Sequence, residues 1–318
     1  MPHHLNNKIV TIFGGTGFVG RAIIAKLASA GALIRVVTRT PQSAYFLKPY
    51  GQVGQIVAIP CDFQNAESVR HAIGNSYAVI NCLGILFEKG NHTFQKVHVD
   101  YPNMIADAAR AASVQKLIHI SALACERSQS QYAISKKQGE EALHKQFPRA
   151  MIIRPSVIFG ADDNFFNMFA KLSMISPALP LIGGGHTLFQ PVYVGDVAQS
   201  IINALNFGRD GAIYEIGGAE TISFKGIMKK LNFHTGRDRF LVPIPIWIAT
   251  IQAMIFSLLP TPLLTRDQII SLKTDNIVSS GAFTLCDLDI TPKAMDEILP
   301  TYLGHYKSGG RFANQKRV

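Results

Sequence analysis

Three sets of residues in this 318-residue chain have the types and spacing to do chemistry. The first is Gly14-Gly15-Thr16-Gly17-Phe18-Val19-Gly20, which satisfies G-x-G-x-x-G from Gly15 and G-x-x-G-x-x-G from Gly14. In a loop joining a strand to a helix, one such glycine permits the tight turn and a second lets backbone N–H groups approach a pyrophosphate. A third lets helix pack on strand, and the helix N-terminus then faces the phosphates. The second set is Tyr132-Ala133-Ile134-Ser135-Lys136, a phenol and an ammonium four residues apart on one helical face. Such a phenol exchanges a proton with a substrate oxygen, while the nearby cation stabilises phenolate and can hold a nicotinamide ribose. The third is Thr38-Arg39. NAD sites place an acid about 20 residues past the glycines, for the ribose 2′-hydroxyl. This chain has no acid between Gly20 and Asp62, and Arg39 complements a 2′-phosphate instead. The expected cofactor is NADP(H).

These residues need a scaffold, and the apolar pattern supplies one. Short β-branched runs at Ile9 to Phe13, Ile34 to Thr38, Gln55 to Ile59, Ala78 to Cys82, Leu117 to Ile120 and Met151 to Ile153 read as strands. Helical spacing falls between them, at Ala22 to Ala30, Ala66 to Ile73, Met104 to Ala112 and Ser135 to Lys145. Strand and helix alternating at this pitch predict an α/β fold, a Rossmann-type doubly wound parallel sheet. After about Pro155, glycine clusters and prolines break the rhythm. The expected organisation is a dinucleotide-binding domain over 1–155, with about 190–206 returning to it, and a smaller carboxyl-terminal α/β lobe over 156–318.

Composition narrows the class. With 47% hydrophobic and 16% charged residues, the chain is neither disordered nor fibrous. Its 31 Lys+Arg against 21 Asp+Glu give +10, which favours an anionic partner such as a phosphorylated cofactor, a membrane or nucleic acid. Scattered basic residues without a recognisable module argue against nucleic acid. Cys61, Cys82, Cys125 and Cys286 are widely spaced and the histidines form no metal-binding spacing, so reduced thiols and no metal are expected. Gly183-Gly184-Gly185-His186 reads as a tight turn. No signal or transit peptide fits the first seven residues, and a cytoplasmic location is expected.

With these motifs in place, the chain resembles the extended and atypical short-chain dehydrogenase/reductases. The resemblance rests on Gly14 to Gly20, Cys61-Asp62-Phe63, Asn81-Cys82-Leu83-Gly84, Tyr132 to Lys136, Arg154 to Gly160 and Pro191 to Ala198. It implies Asp62 and Phe63 near adenine, Leu83 and Gly84 along the cofactor, and Pro155 and Val157 near nicotinamide. Ser121, Tyr132 and Lys136 would be the catalytic group. Two positions depart from the pattern: Leu123 stands where the family usually has a hydroxyl for substrate, and His98 where a helical Asn is common. Towards the carboxyl end, Trp247 to Leu259, Pro260 to Gln268 and Lys273-Thr274-Asp275-Asn276-Ile277-Val278 look like the subgroup containing the nucleotide-binding accessory subunit of respiratory complex I and its bacterial relatives. That resemblance implies complex I as partner and a structural NADPH; the alternative is a freestanding NADP-dependent oxidoreductase or epimerase.

Leu241 to Leu259 carries no formal charge, but Pro243 and Pro245 interrupt its start. The remaining helix, Ile246 to Leu259, is too short for a bilayer of about 30 Å. It suits a membrane interface, a partner's apolar face or a core. His305 to Val318 adds Lys307, Arg311, Lys316 and Arg317 without an acid. Together they predict peripheral attachment to the inner face of the cytoplasmic membrane.

Overall fold

The apolar runs form strands buried on both faces, as a parallel sheet covered by helices requires. Described in a computed structural model are residues 4–256, 262 and 264–307. Pro260, Thr261, Leu263 and the basic residues Arg311, Lys316 and Arg317 lie outside the described residues. The strands are β1 (Ile9–Phe13), β2 (Leu33–Thr38), β3 (Ile56–Pro60), β4 (Ala78–Asn81), β5 (Lys116–Ile120), β6 (Met151–Pro155), β7 (Ile158–Phe159), β8 (Ala178–Ile182), β9 (Leu188–Phe189), β10 (Val192–Tyr193), β11 (Ile213–Ile216), β12 (Ile222–Ser223) and β13 (Phe240–Ile244). Seven make one parallel sheet in the order β11-β6-β5-β4-β1-β2-β3. The order reverses between β1 and β4, and the crevice at their carboxyl ends is where doubly wound sheets take ligands.

The helices are α1 (Phe18–Ser29), α2 (Ala66–Ile73), α3 (Tyr101–Ala111), α4 (Gln131–Gln146), α5 (Phe165–Ile175), α6 (Val194–Phe207), α7 (Phe224–Thr235), α8 (Ile246–Phe256), α9 (Arg266–Ser271) and α10 (Met295–Leu303). Ile23, Ile24 and Leu27 of α1 and Val197, Ile201 and Leu205 of α6 share a core on one face of the sheet. Val69, Ile73, Ile105, Ala109 and Leu143 of α2, α3 and α4 fill the other. A separate aromatic core, with Phe159, Phe166, Phe169, Phe224 and Tyr302, holds α5, α7 and α10 together. The alternating rhythm anticipates β1 to β6 within a residue or two. It does not anticipate β11, whose four residues stand far down the chain between Gly211 and Gly217 and pair along β6.

Two helices start where chemistry needs them. Helix α1 begins at Phe18, four residues before the apolar periodicity suggests, because Gly17 caps it directly from the glycine loop. Helix α4 begins at Gln131, with Ser130 Oγ accepting from Ala133 N–H, so Tyr132 lies in its first turn and Lys136 one turn on. A six-residue π-helical stretch, Gln95–Asp100, leads into α3 and presses on α4. Gly139 is what permits the approach: a Cβ there would lie 1.8 Å from the His98 carbonyl oxygen.

Candidate dinucleotide-binding site

At the β1 end the glycines are required by contact. Gly14 has φ +78°, and a Cβ on it would fall 2.9 Å from the Cys82 carbonyl group. A Cβ at Gly20 would fall 2.3 Å from Gly14 O, and one at Gly15 would meet Ile24 and Val36. The loop therefore packs backbone on backbone, and the first turn of α1 carries no acid. Its N–H groups and helix dipole offer a cradle that suits a pyrophosphate.

Beyond β2, Thr38 Oγ1 accepts from Thr40 N–H at 3.3 Å and bonds Ser43 Oγ at 3.1 Å, fixing the turn that presents Arg39. Arg39 is exposed, and its Nη1 donates to His92 Nε2 at 2.9 Å. Asp62 is also exposed and accepts from Gln64 N–H. The ring of Phe63 is buried between Phe13 and Tyr101, at centroid distances of 5.8 and 4.9 Å.

The β4 to β5 side is denser. Leu83 N–H donates to Asn81 Oδ1. A Cβ on Gly84 would lie 3.3 Å from Lys136 Nζ and 3.9 Å from His98 Nε2, so these three groups converge. His98 is buried; its Nε2 accepts from Ile85 N–H at 3.1 Å and its Nδ1 bonds Ser135 Oγ at 2.9 Å. Burial, with Lys136 nearby, pushes its pKa down to about 2, so the ring stays neutral. Lys136 is itself buried, donates to Ile120 O at 3.2 Å, and has its pKa lowered by burial to about 8. The phenol of Tyr132 is half-buried, against His98 and Phe94, and burial raises it to about 12. Ser121 is buried below them, and its Oγ has no hydrogen-bond partner among the described residues; His119 Nε2 shares that condition. Orphaned polar atoms beside a backbone cradle fit a group that would bring acceptors and donors.

Behind this face, Arg154 at the end of β6 is buried and bidentate to Glu140 of α4, with Nε to Oε1 at 2.8 Å and Nη2 to Oε2 at 2.6 Å. A further bond from Nη2 reaches Glu126 at 2.7 Å. The pairing fixes α4, and with it Tyr132 and Lys136, against the sheet. Pro155 is buried and Val157 half-buried at the adjacent strand end. Among the described residues no three His, Cys, Asp or Glu side chains gather as a metal site. Cys61 and Cys125 are buried, Cys82 half-buried and Cys286 exposed, all free thiols.

The model of the NAD dependent epimerase/dehydratase family matches residues 10–217. The chain belongs to that family. Subunit 9 of the NADH dehydrogenase [ubiquinone] 1 alpha subcomplex, mitochondrial, of Mus musculus is 33% identical over 304 residues, covering 92% of this chain and 78% of that protein. Its counterpart in Dictyostelium discoideum is 32% identical over 311 residues, 96% of this chain and 86% of the other. Among solved structures, the UDP-glucose 4-epimerase of Thermus thermophilus in complex with NAD superimposes with a TM-score of 0.68 at 18% identity, over 94% of this chain and 98% of that one; this likeness shows the fold.

A carboxyl-terminal segment packs over the ends of β5 and β6. Leu123 is buried, and its carbonyl accepts from Asn276 Nδ2 at 3.3 Å. Ser156 Oγ donates to Asn276 Oδ1 at 2.6 Å, and Asn276 N–H donates to Leu188 O at 2.8 Å. The segment around Lys273 to Val278 thus crosses the carboxyl ends of β5 and β6, and Arg127 Nη2 secures it at Ile277 O. Asp267 of α9 accepts from the backbone N–H groups of Gln131 and Tyr132, at 2.6 and 3.0 Å, capping α4 from outside. His92, Asp267 and Asn276 escape sequence reasoning for one reason. Their bonds span 53, 136 and 153 residues, and no local periodicity records such contacts.

Proposed function

We propose that the protein is an NADP(H)-binding accessory component of a membrane NADH:ubiquinone oxidoreductase (complex I), in which the dinucleotide serves a structural role. The observation that carries the assembly is the likeness, over nine-tenths of this chain, to subunits of that oxidoreductase in distant eukaryotes. In this reading Gly14, Gly15, Thr16, Gly17, Phe18, Val19 and Gly20 hold the pyrophosphate, and Thr38 and Arg39 take the 2′-phosphate. Asp62 and the main chain of Phe63 flank the adenine. Leu83, Gly84, Ser121, Tyr132, Lys136, Pro155 and Val157 line the nicotinamide half. When bound, the dinucleotide could supply a hydride; this chain's own residues favour holding it. The hydroxyl expected for a substrate is the buried Leu123, and Asn276 takes up Ser156 and the Leu123 carbonyl.

Membrane-surface attachment belongs to the same reading. No helix among the described residues is long and apolar enough to cross a bilayer. Helix α8 buries Ala249 and Ala253 but exposes Trp247, Ile251 and Met254. Residues spaced four and seven apart share one helical face, which suits insertion into a lipid interface.

The test is to isolate the protein from its native membranes, release the bound nucleotide and follow its absorbance with quinone and carbonyl acceptors. Co-purification with NADH:ubiquinone oxidoreductase and stoichiometric NADPH that is never consumed is the expected result. The retained Tyr132 and Lys136 favour a second reading, a freestanding reductase or epimerase. NADPH consumption by the soluble protein, abolished in Tyr132→Phe, would establish that reading over ours.

A further inference from the structure

The link between Arg39 and His92 joins parts of the fold that flank the glycine loop. Arg39 follows β2 and His92 follows β4; β1 lies between those strands, so the link passes across the carboxyl end of β1, beside the cradle of Gly14 to Gly20. Both ends are built. The Arg39 turn is fixed by Thr38 Oγ1 and Ser43, where Ser43 N–H donates to Thr40 O at 3.0 Å. His92 closes a tight turn in which Lys89 and His92 exchange backbone bonds of 3.1 and 3.0 Å, with Gly90 at φ +54°. The turn is tied to the following helix by Phe94 N–H donating to Glu88 Oε1 at 2.7 Å.

Chemistry fixes the roles within the pair. A guanidinium has only donors, so His92 Nε2 must accept, and its ring proton sits on Nδ1. The imidazole thereby orients the fork of Arg39, leaving that fork's remaining N–H groups to a ligand. A bidentate guanidinium matches a phosphate only when its plane is set, and an exposed arginine on its own samples many rotamers.

We propose that His92 is a positioning residue for recognition of a dinucleotide 2′-phosphate, acting through Arg39. The inference rests on the NADP(H) reading above. It assigns the choice between NADPH and NADH to a pair of residues, one of them in the loop after β4.

Equilibrium binding of NADPH and NADH to the full chain and its variants tests it. Arg39→Ala should weaken NADPH about ten-fold or more and leave NADH within about two-fold, since only one ligand carries the extra phosphate. His92→Ala should weaken NADPH about three- to ten-fold, again sparing NADH, and His92→Gln, which keeps an acceptor, should recover most of the loss. The double variant should match Arg39→Ala alone, because a residue that acts through another adds nothing once that other is gone. Additive losses, equal losses for both nucleotides, or an inert His92→Ala each overturn the role of His92. A wild-type protein that binds NADPH no better than NADH, with Arg39→Ala inert, overturns the NADP(H) reading itself. Loss of both ligands in the wild type would remove the site altogether. His92 lies in a half-exposed turn, and a thermal melt of each variant confirms that fold is not the variable.

Discussion

Lys136 is a buried cation whose nearest polar contact is a neutral carbonyl, and this has a measurable consequence without any ligand. Burial brings its pKa from 10.5 down to about 8, so between those values the unfolded chain holds a proton that the folded one has released. Stability therefore rises with pH across that interval. Above pH 9 the thiols of Cys82 and Cys125, raised by burial to about 12, contribute in the opposite direction, leaving pH 8 to 9 as the clean window. Over that window the unfolding free energy of the wild type relative to Lys136→Met should increase by about 1 kcal/mol, the scale of one proton over one pH unit. Urea melts at the two pH values read it directly, and a constant difference would mean that Lys136 stays protonated. Arg154 behaves differently, because it is a buried cation shared among the carboxylates of Glu140, Glu126 and Glu215. Glu140→Gln removes the bidentate carboxylate but leaves Arg154 to Glu126 and Glu215, and should destabilise by about 1–3 kcal/mol, whereas Arg154→Met leaves the buried carboxylates of Glu140 and Glu215 without a cation and should cost about 3–5 kcal/mol. Equal losses in urea melts of the two variants would show that Glu140 alone satisfies the guanidinium.

Among the elements, α4 carries Tyr132 and Lys136, and it is held from three sides: by Ser130 at its own start, by Arg154 beneath and by Asp267 from α9. Asp267 gives acceptors to two first-turn N–H groups where the helix dipole also favours a negative charge. Asp267→Ala should lower stability by about 1–2 kcal/mol. If the clamp sets the height of Tyr132, it should also change NADPH fluorescence in the complex, and an unaltered spectrum would confine Asp267 to stability. Sequence patterning reached the inner half of this arrangement. Short β-branched apolar runs alternating with helical-period segments made β1 to β6 readable, and the glycine loop and the Tyr132 to Lys136 spacing marked their positions on those elements. It could not reach the outer half, because Asp267 touches α4 by folding back across 136 residues and β11 joins β6 after a long excursion. Phe63 shows the same limit at one residue: the family resemblance implies a place near adenine, and the burial of its ring between Phe13 and Tyr101 is a contact that the resemblance does not specify.

At the scale of the whole molecule, the +10 charge and the apolar face of α8 ask what lies opposite them. The face is a stripe of Trp247, Ile251 and Met254, with relative exposures of 66%, 47% and 45%, on a helix without a charged residue. On the preceding strand β13, Phe240, at 77%, and Val242 are exposed as well. Leaving such side chains in water forgoes about 1.5–3 kcal/mol for each that could be fully buried, so a surface that covers them is strongly favoured. An anionic lipid interface would cover the stripe and answer the positive charge as well, and only the second of these contributions would be screened by salt. The two can thus be separated. Sedimentation with vesicles containing anionic lipid should be strong at low salt and weaken as salt rises. In Trp247→Ala it should fall about ten-fold at every salt concentration, since loss of a large apolar anchor is insensitive to screening. If Trp247→Ala sediments as the wild type does, the stripe does not enter lipid. Retention of the wild type but not the variant by the purified oxidoreductase, in detergent without vesicles, would then assign the stripe to a protein partner.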